Sequence, residues 1–393
     1  RYRQRYVDLI VNPEVKKTFI LRSRIIQAIR SYLEERDFLE VETPILHTIA
    51  GGAAARPFLT HPNALEMDLY MRIALELHLK RLLVGGIDRV YEIGRVFRNE
   101  GLSTRHNPEF TLLELYQAYG DLSDMMDITE GMISTVCRKV LGTTRVPYGE
   151  EELEFAAPWP RYTMLEAVRD LGGLDFSAIS GDEAARAAVK QKGVHVEEDA
   201  SWGICLNEAF EELVEPQLMQ PTFIYDYPLE ISPLAKEIPG RPGMVFRFEA
   251  FAARRELANA FSELNDPQDQ RERFLGQVEA KASGDEEAHP MDEDFIRALE
   301  YGMPPAGGLG IGGQHQIEDG LAPRLALQFA GRQGDDRREH PGLHPVDAGK
   351  RHPPLPEARL DHVEIIGRYE GAQRGAVGEH GEFGLGGECR HHR

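Results

Sequence analysis

Cysteine is scarce in this 393-residue chain. Only Cys137, Cys205 and Cys389 occur, too far apart to form a disulfide framework or a zinc site. The expectation is a reducing, cytoplasmic setting. No apolar run reaches membrane-spanning length and no signal peptide is evident, so no membrane partner is expected. Basic residues are also in deficit, 45 against 65 acidic ones, for a formal net charge of -20. A general nucleic-acid coat is thereby disfavoured, because phosphate contacts need Lys and Arg; a local basic patch is not. An initiator Met is missing too, and the start at Arg1 reads as a trimmed piece of a longer protein. What is present is a 41% apolar fraction, enough for a sizeable core in a chain long enough for two or three domains.

The most informative stretch covers residues 89–119, RVYEIGRVFRNEGLSTRHNPEFTLLELYQAY. Two runs alternate as strands do, with a polar loop at 101–108 between them. On the first run Val96, Arg98 and Glu100 share a face, with Arg95 and Phe97 on the other. On the second, Phe110, Leu112, Glu114 and Tyr116 share a face. A hairpin with those faces together gathers an Arg fork suited to phosphate, an aromatic suited to a base, and carboxylates suited to an ammonium. Read by itself, the stretch also fits an ordinary charged hairpin.

FRNE, a loop, then RHNPEFT resembles motif 2 of class II aminoacyl-tRNA synthetases. FLEVETPIL at 38–46 resembles motif 1, and the run from GGAAARPFLTHPNALEMD to ELHLKRLLVGG is similar to lysyl-tRNA synthetases in particular. The resemblance extends from Arg1 to about Gly312. It implies an α/β (α+β) fold, a mixed, mainly antiparallel sheet flanked by helices. Residues 1–15 would be a linker from an N-terminal OB-fold anticodon-binding domain that lies before Arg1. Residues 16–312 would be the catalytic domain, with a helical, insertion-like region at 150–215.

Taken in order, residues 16–36 read as an amphipathic helix through Ile25, Ile26, Ile29 and Leu33, followed by a strand at 38–41. The resemblance makes these the homodimer interface; the pattern alone fits core packing as well. Gly51 and Gly52 suit a surface turn or a close backbone approach, and the resemblance turns Gly52 toward the bound amino acid. Glu76 begins a helix whose Leu77, Leu79, Leu82 and Leu83 look buried; relatives usually have Pro where this chain has Leu75. Residues 122–141 read as a Met-rich helix, and 153–199 as polar and helical. Residues 247–265 read as two strands about a turn near Ala253. Glu249 lies on the first, Glu256 starts the second, and Asn259, Phe261 and Glu263 share one face of it. Ala253 and Arg254 stand where relatives commonly have a Gly. Helices are expected at 266–282 and 292–301.

GGLGIG from Gly307 resembles the start of motif 3, but Gly313, Gln314 and His315 then replace its Ile, Asp and phosphate-binding Arg. Residues 313–393, rich in Gly, Arg and His, read as an atypical tail, frame-shifted or disordered. A chain with this break is expected to be poorly active and prone to aggregate, with apolar surface bared near Phe97, Leu113 and Leu115.

The resemblance implies activation of lysine by ATP and transfer to the 3′ end of tRNA(Lys). It places Arg98 on the α-phosphate, Phe110 against adenine, and Glu100, His106 and Asn107 around the nucleotide. Gly52, Glu76, Glu114, Tyr116, Asn259, Phe261 and Glu263 would hold lysine, and Glu249 and Glu256 would carry Mg²⁺. Oxygen ligands of this kind suit Mg²⁺ that bridges phosphates. The alternatives are a paralogue that lysylates a protein such as elongation factor P, an aspartyl or asparaginyl enzyme, and a catalytically impaired dimerising or binding module.

Overall fold

The alternating runs around residues 89–119 pair as expected and form the middle of a larger sheet. The computed structural model describes residues 4–99, 107–282 and 288–312. Glu100, His106 and the 313–393 tail therefore lie outside the described residues. Eight strands form the main sheet: β1 (Leu39–Glu40), β2 (Arg89–Phe97), β3 (Glu109–Ala118), β4 (Arg161–Thr163), β5 (Thr222–Pro228), β6 (Met244–Phe251), β7 (Glu256–Ser262) and β8 (Ala306–Ile311). Their spatial order is β1-β2-β3-β8-β7-β6-β5-β4. Only the edge pairs, β1 with β2 and β4 with β5, are parallel, so the sheet is mixed and mainly antiparallel.

The two faces of this sheet are buried differently. One face carries Leu113, Leu115, Leu309, Ala258 and Ala260 and packs against two long helices, α1 (Pro13–Glu34) and α3 (Leu122–Leu141), with α2 (Glu76–Val84) placed elsewhere. Ile29 and Leu33 of α1 meet Met125, Met126 and Met132 of α3 in that cluster. The ends of α3 follow from local chemistry: Asp121 accepts from the Ser123 and Asp124 amides in a capping box, and Gly142 at φ 77° closes it. Leu113 and Leu115 are 1% and 0% exposed, so the expected bare apolar surface is absent there, and Phe97 is half-buried. The opposite face is covered only partly, by α2 together with α4 (Pro267–Ala282) and α5 (Glu293–Gly302). That partial cover leaves room for a cavity.

The region 150–215 is not helical throughout. Glu151–Glu154 pairs with Arg145–Tyr148, and Arg161–Thr163 supplies the outermost strand β4. Its helices bury Met164, Val168, Val189 and Phe210 against Ile224, Val245 and Phe251 of the sheet. Among the described residues no helix is long and apolar enough to cross a membrane.

The hairpin between β6 and β7 turns on two residues, Ala253 at φ 55° and Arg254 at φ 62°. Ala252 and Arg255 close it with reciprocal backbone bonds of 2.9 and 3.2 Å. Both turn residues thus occupy the left-handed region, where a Cβ costs about 1–2 kcal/mol and glycine costs nothing. This is the physical content of the missing glycine at the turn. We expect Arg254→Gly, at the exposed position, to stabilise the fold by about 1 kcal/mol; a urea midpoint that moves down or stays fixed would refute it.

Candidate active site

Register across the sheet builds the site in rows. Glu92 on β2 pairs with Glu114 on β3, Glu114 with Gly310 on β8, Gly310 with Asn259 on β7, and Asn259 with Glu249 on β6. One step along, Tyr116 pairs with Gly308, Gly308 with Phe261, and Phe261 with Arg247. Cross-strand partners share a face, so residues from five strands converge there. Gly308 of β8 is required: a Cβ there would land against the Glu263 carboxylate and 2.6 Å from the Tyr116 ring.

A cavity of about 890 Å³ lies over these rows. Gly52, Glu76, Arg98, Glu114 and Tyr116 line it from one side. Glu256, Asn259, Phe261 and Glu263 line it from the other, so nine of the residues read from sequence meet in one place. Gly52 adopts φ 92°, and a Cβ there would come within 3.1 Å of Ala74 and 3.3 Å of Glu76. Glu249 faces an adjoining recess of about 370 Å³ that shares Arg247 and Glu256 with the main cavity. Asn107 is exposed at the start of the hairpin's second limb, where its Nδ2 donates to the Glu109 carbonyl at 2.9 Å, and it does not line the cavity. Phe110 is also absent from the lining: its ring is buried with Val96 and Leu112, and the Arg98 guanidinium lies 5.3 Å from its centroid.

The inner end of the cavity is strongly acidic. Glu76, Glu114 and Glu263 are buried, as is Lys80, which pairs with Glu76 at 2.5 Å and with Glu263. Burial pushes the Glu114 carboxyl up to about 7, and the charge of Glu76 adds to that. The Leu75 amide, 3.1 Å from Oε1, and the Tyr116 hydroxyl, 3.0 Å from Oε2, pull it back. Leu75 is the residue just before α2, and its N–H is a donor that a proline there would lack. Glu263 is held well above the usual carboxylate range, first by burial, with Lys80 opposing; neither of its oxygens has a partner in hydrogen-bond geometry. Glu92 adds no free charge to this group, because the buried Arg72 faces it at 2.6 Å.

At the other end, burial and the charge of Glu249 raise Glu256 to about 8. Glu249 accepts from Arg247 at 2.6 Å and from the Tyr227 hydroxyl at 3.0 Å. Two partly buried carboxylates on adjoining strands are a fit for a divalent cation with an appetite for oxygen ligands. Among the described residues, no group of three or more His, Cys, Asp or Glu side chains is placed to hold a metal ion.

Two residues of the site were missed in the sequence. Lys80 follows Glu76 by four positions on one helix, the spacing of an ion pair, but the sequence reading gave it no role. Arg247 precedes Glu249 by two, on the same face of β6. Its guanidinium also reaches Asn259 at 3.1 Å, the Ser232 hydroxyl at 2.9 Å and the Ile231 carbonyl at 2.8 Å.

Comparison with known proteins gives the chain its family. The family described as "tRNA synthetases class II (D, K and N)" matches residues 1–315. A protein of Moorella thermoacetica named "Lysine--tRNA ligase" is 64% identical over 312 residues, 79% of this chain and 64% of that protein. Proteins of the same name from Pelotomaculum thermopropionicum and Staphylococcus haemolyticus are 63% and 60% identical, again over 79% of this chain. The chain thus spans a little under two thirds of the length of the curated relatives it matches.

Proposed function

The chain belongs to the class II tRNA synthetases of the D, K and N group, and from that premise we propose that it is a lysine–tRNA ligase, which joins lysine to the AMP part of ATP as lysyl-adenylate with release of pyrophosphate, then passes the lysyl group to tRNA(Lys) with release of AMP. The observation that carries this reading is the acidic inner end of the cavity. Three buried carboxylates against one buried ammonium leave an excess of negative charge in a desolvated place. An aspartate side chain would be repelled there, and an asparagine would leave the carboxylates unanswered. A lysine brings two ammonium groups. The names of the relatives support the same choice.

In this reading Glu263, Glu114 and Tyr116 take the ammonium at the end of the lysine side chain, and Glu76 beside the Gly52 backbone takes the one at its α-carbon. The lysine carboxylate is then left toward Arg98. Arg98, over Phe110, binds and orients the α-phosphate, so that attack in line spreads charge toward a fixed fork of donors. Glu249 and Glu256 would hold Mg²⁺, which when bound supplies positive charge to the outer phosphates. Arg247 fixes Glu249 and Asn259 in one frame, keeping the two ends of the site in register. A homodimer in the cytoplasm belongs to the same proposal. Phe19, Ile20, Leu39, Ile45 and Leu46 are all 44–51% exposed on and after α1, where the resemblance puts the dimer contact.

The test is amino-acid-dependent ATP–pyrophosphate exchange by this chain with lysine, aspartate and asparagine in separate reactions. Exchange with lysine alone is the expected result. Exchange that prefers aspartate or asparagine would overturn the reading.

A further inference from the structure

Lys80, at 0% exposure, lies behind the cavity wall, against lining residues Glu76 and Glu263 and not itself in the lining. It sits one turn after Glu76 on α2, with Nζ 2.5 Å from Glu76 Oε1, and its other side meets Glu263 at the end of β7. The rings of Tyr116 and Phe261 flank it at 5.9 and 5.4 Å. We propose that Lys80 is the resident counter-ion of the amino-acid pocket, a specificity-determining residue placed against Glu76 and Glu263 so that their ionised forms are favoured and can receive an amino acid that carries two ammonium groups. The inference rests on the lysine reading above.

The groups around Lys80 come from several elements. Glu76 shares its helix, Glu263 follows β7, Glu114 and Tyr116 belong to β3, and His289 lies before α5. His289 is buried and its ring is held neutral, down to about 4, by burial first and then by the charges of Lys80 and Lys281. It therefore adds no cation near neutral pH. Arg98 acts on Glu114 from the outer end of the cavity. Lys80 is thus the cation that meets Glu76 and Glu263 directly, and its charge opposes the upward pull of burial on both.

Removing that charge would leave three carboxylates in a dry pocket, each raising the others' proton affinity. A proton would then compete with the incoming ammonium. The competition has a sign: it weakens lysine binding at low pH and fades as pH rises past the elevated carboxylate values. A purely structural pin would instead weaken binding or folding equally at every pH.

The experiment measures the KM for lysine and for ATP in pyrophosphate exchange between about pH 6.5 and pH 8.5, for the wild type, Lys80→Met and Lys80→Arg. For Lys80→Met the lysine KM near pH 7 should rise about tenfold or more, one pKa unit being a factor of ten. It should fall back toward wild type as pH increases, while the ATP KM stays within about twofold. Lys80→Arg, which retains the charge, should remain close to wild type. A lysine KM in Lys80→Met that is unchanged, lowered, or raised equally at all pH overturns the proposal. If Lys80→Met does not fold, Lys80→Gln is read in the same way, and loss of ATP binding in both uncharged variants also overturns a role confined to the amino-acid pocket. A wild type that prefers aspartate or asparagine to lysine would defeat the functional reading itself, whereas a lysine-dependent wild type with an unshifted Lys80→Met defeats only the counter-ion role.

Discussion

Arg98→Ala should lose lysine-dependent pyrophosphate exchange by about 10³-fold at saturating lysine and ATP. Arg98 lies at the end of β2 with Nε 3.2 Å from the Ile73 carbonyl and its guanidinium plane over Phe110. Those contacts hold the fork before any ligand arrives, so little reorganisation is needed when charge develops on a phosphate. Arg247 also lines the cavity, but it is committed to Glu249, Asn259 and Ser232 and is poorly placed to stand in. The loss should appear in kcat more than in the lysine KM, because the interaction grows in the transition state. Arg98→Lys should recover only part of the rate, since an ammonium restores charge without the planar fork. Exchange in Arg98→Ala within about tenfold of wild type would remove Arg98 from the chemistry.

Glu114→Gln should weaken lysine by about 2 kcal/mol, near 30-fold, with the ATP KM little changed. The effect should depend on pH. With its carboxyl raised to about 7, Glu114 is half protonated near neutrality in the unliganded enzyme. An ammonium binds its ionised form, so binding must expel the proton below that value. The wild-type lysine KM should therefore rise as pH falls through about 7 and level off above it. Glutamine cannot titrate, so the variant should lose most of that dependence. The gap between the two enzymes should then be widest near about pH 8.5 and narrow toward about pH 6. A variant that loses lysine and ATP affinity equally, or that keeps the wild-type pH profile, would contradict the placement of Glu114 in the lysine pocket.

How much of this was legible beforehand depends on the range of the forces involved. Local patterning was enough for α3, where seven apolar or small side chains at helical spacing, an Asp cap and a terminal Gly all agree over residues 121–142. It was enough for the β2–β3 hairpin, because a period of two fixes which residues share a face once a strand forms. It also brought Asn259, Phe261 and Glu263 onto one face of β7. The two positive-φ residues at the β6–β7 turn were flagged by the absence of glycine, which is a property of single residues. The short strand β4 inside a polar helical region was not, since three residues carry too little pattern to separate them from a loop.

The sequence by itself determined the family, the strands and helices near the site, and which side chains could share a face, because these follow from motif order and backbone periodicity. The tertiary structure decided which faces meet. Register across β2, β3, β8, β7 and β6 aligned Glu114 with Asn259 and Glu249, and Tyr116 with Phe261 and Arg247, through pairings that join residues up to more than a hundred positions apart. It also decided that Lys80, a residue whose sequence neighbourhood reads as an ordinary helix surface, is buried between two carboxylates. Burial and charge balance are sums over everything packed nearby, and no window of sequence contains those neighbours.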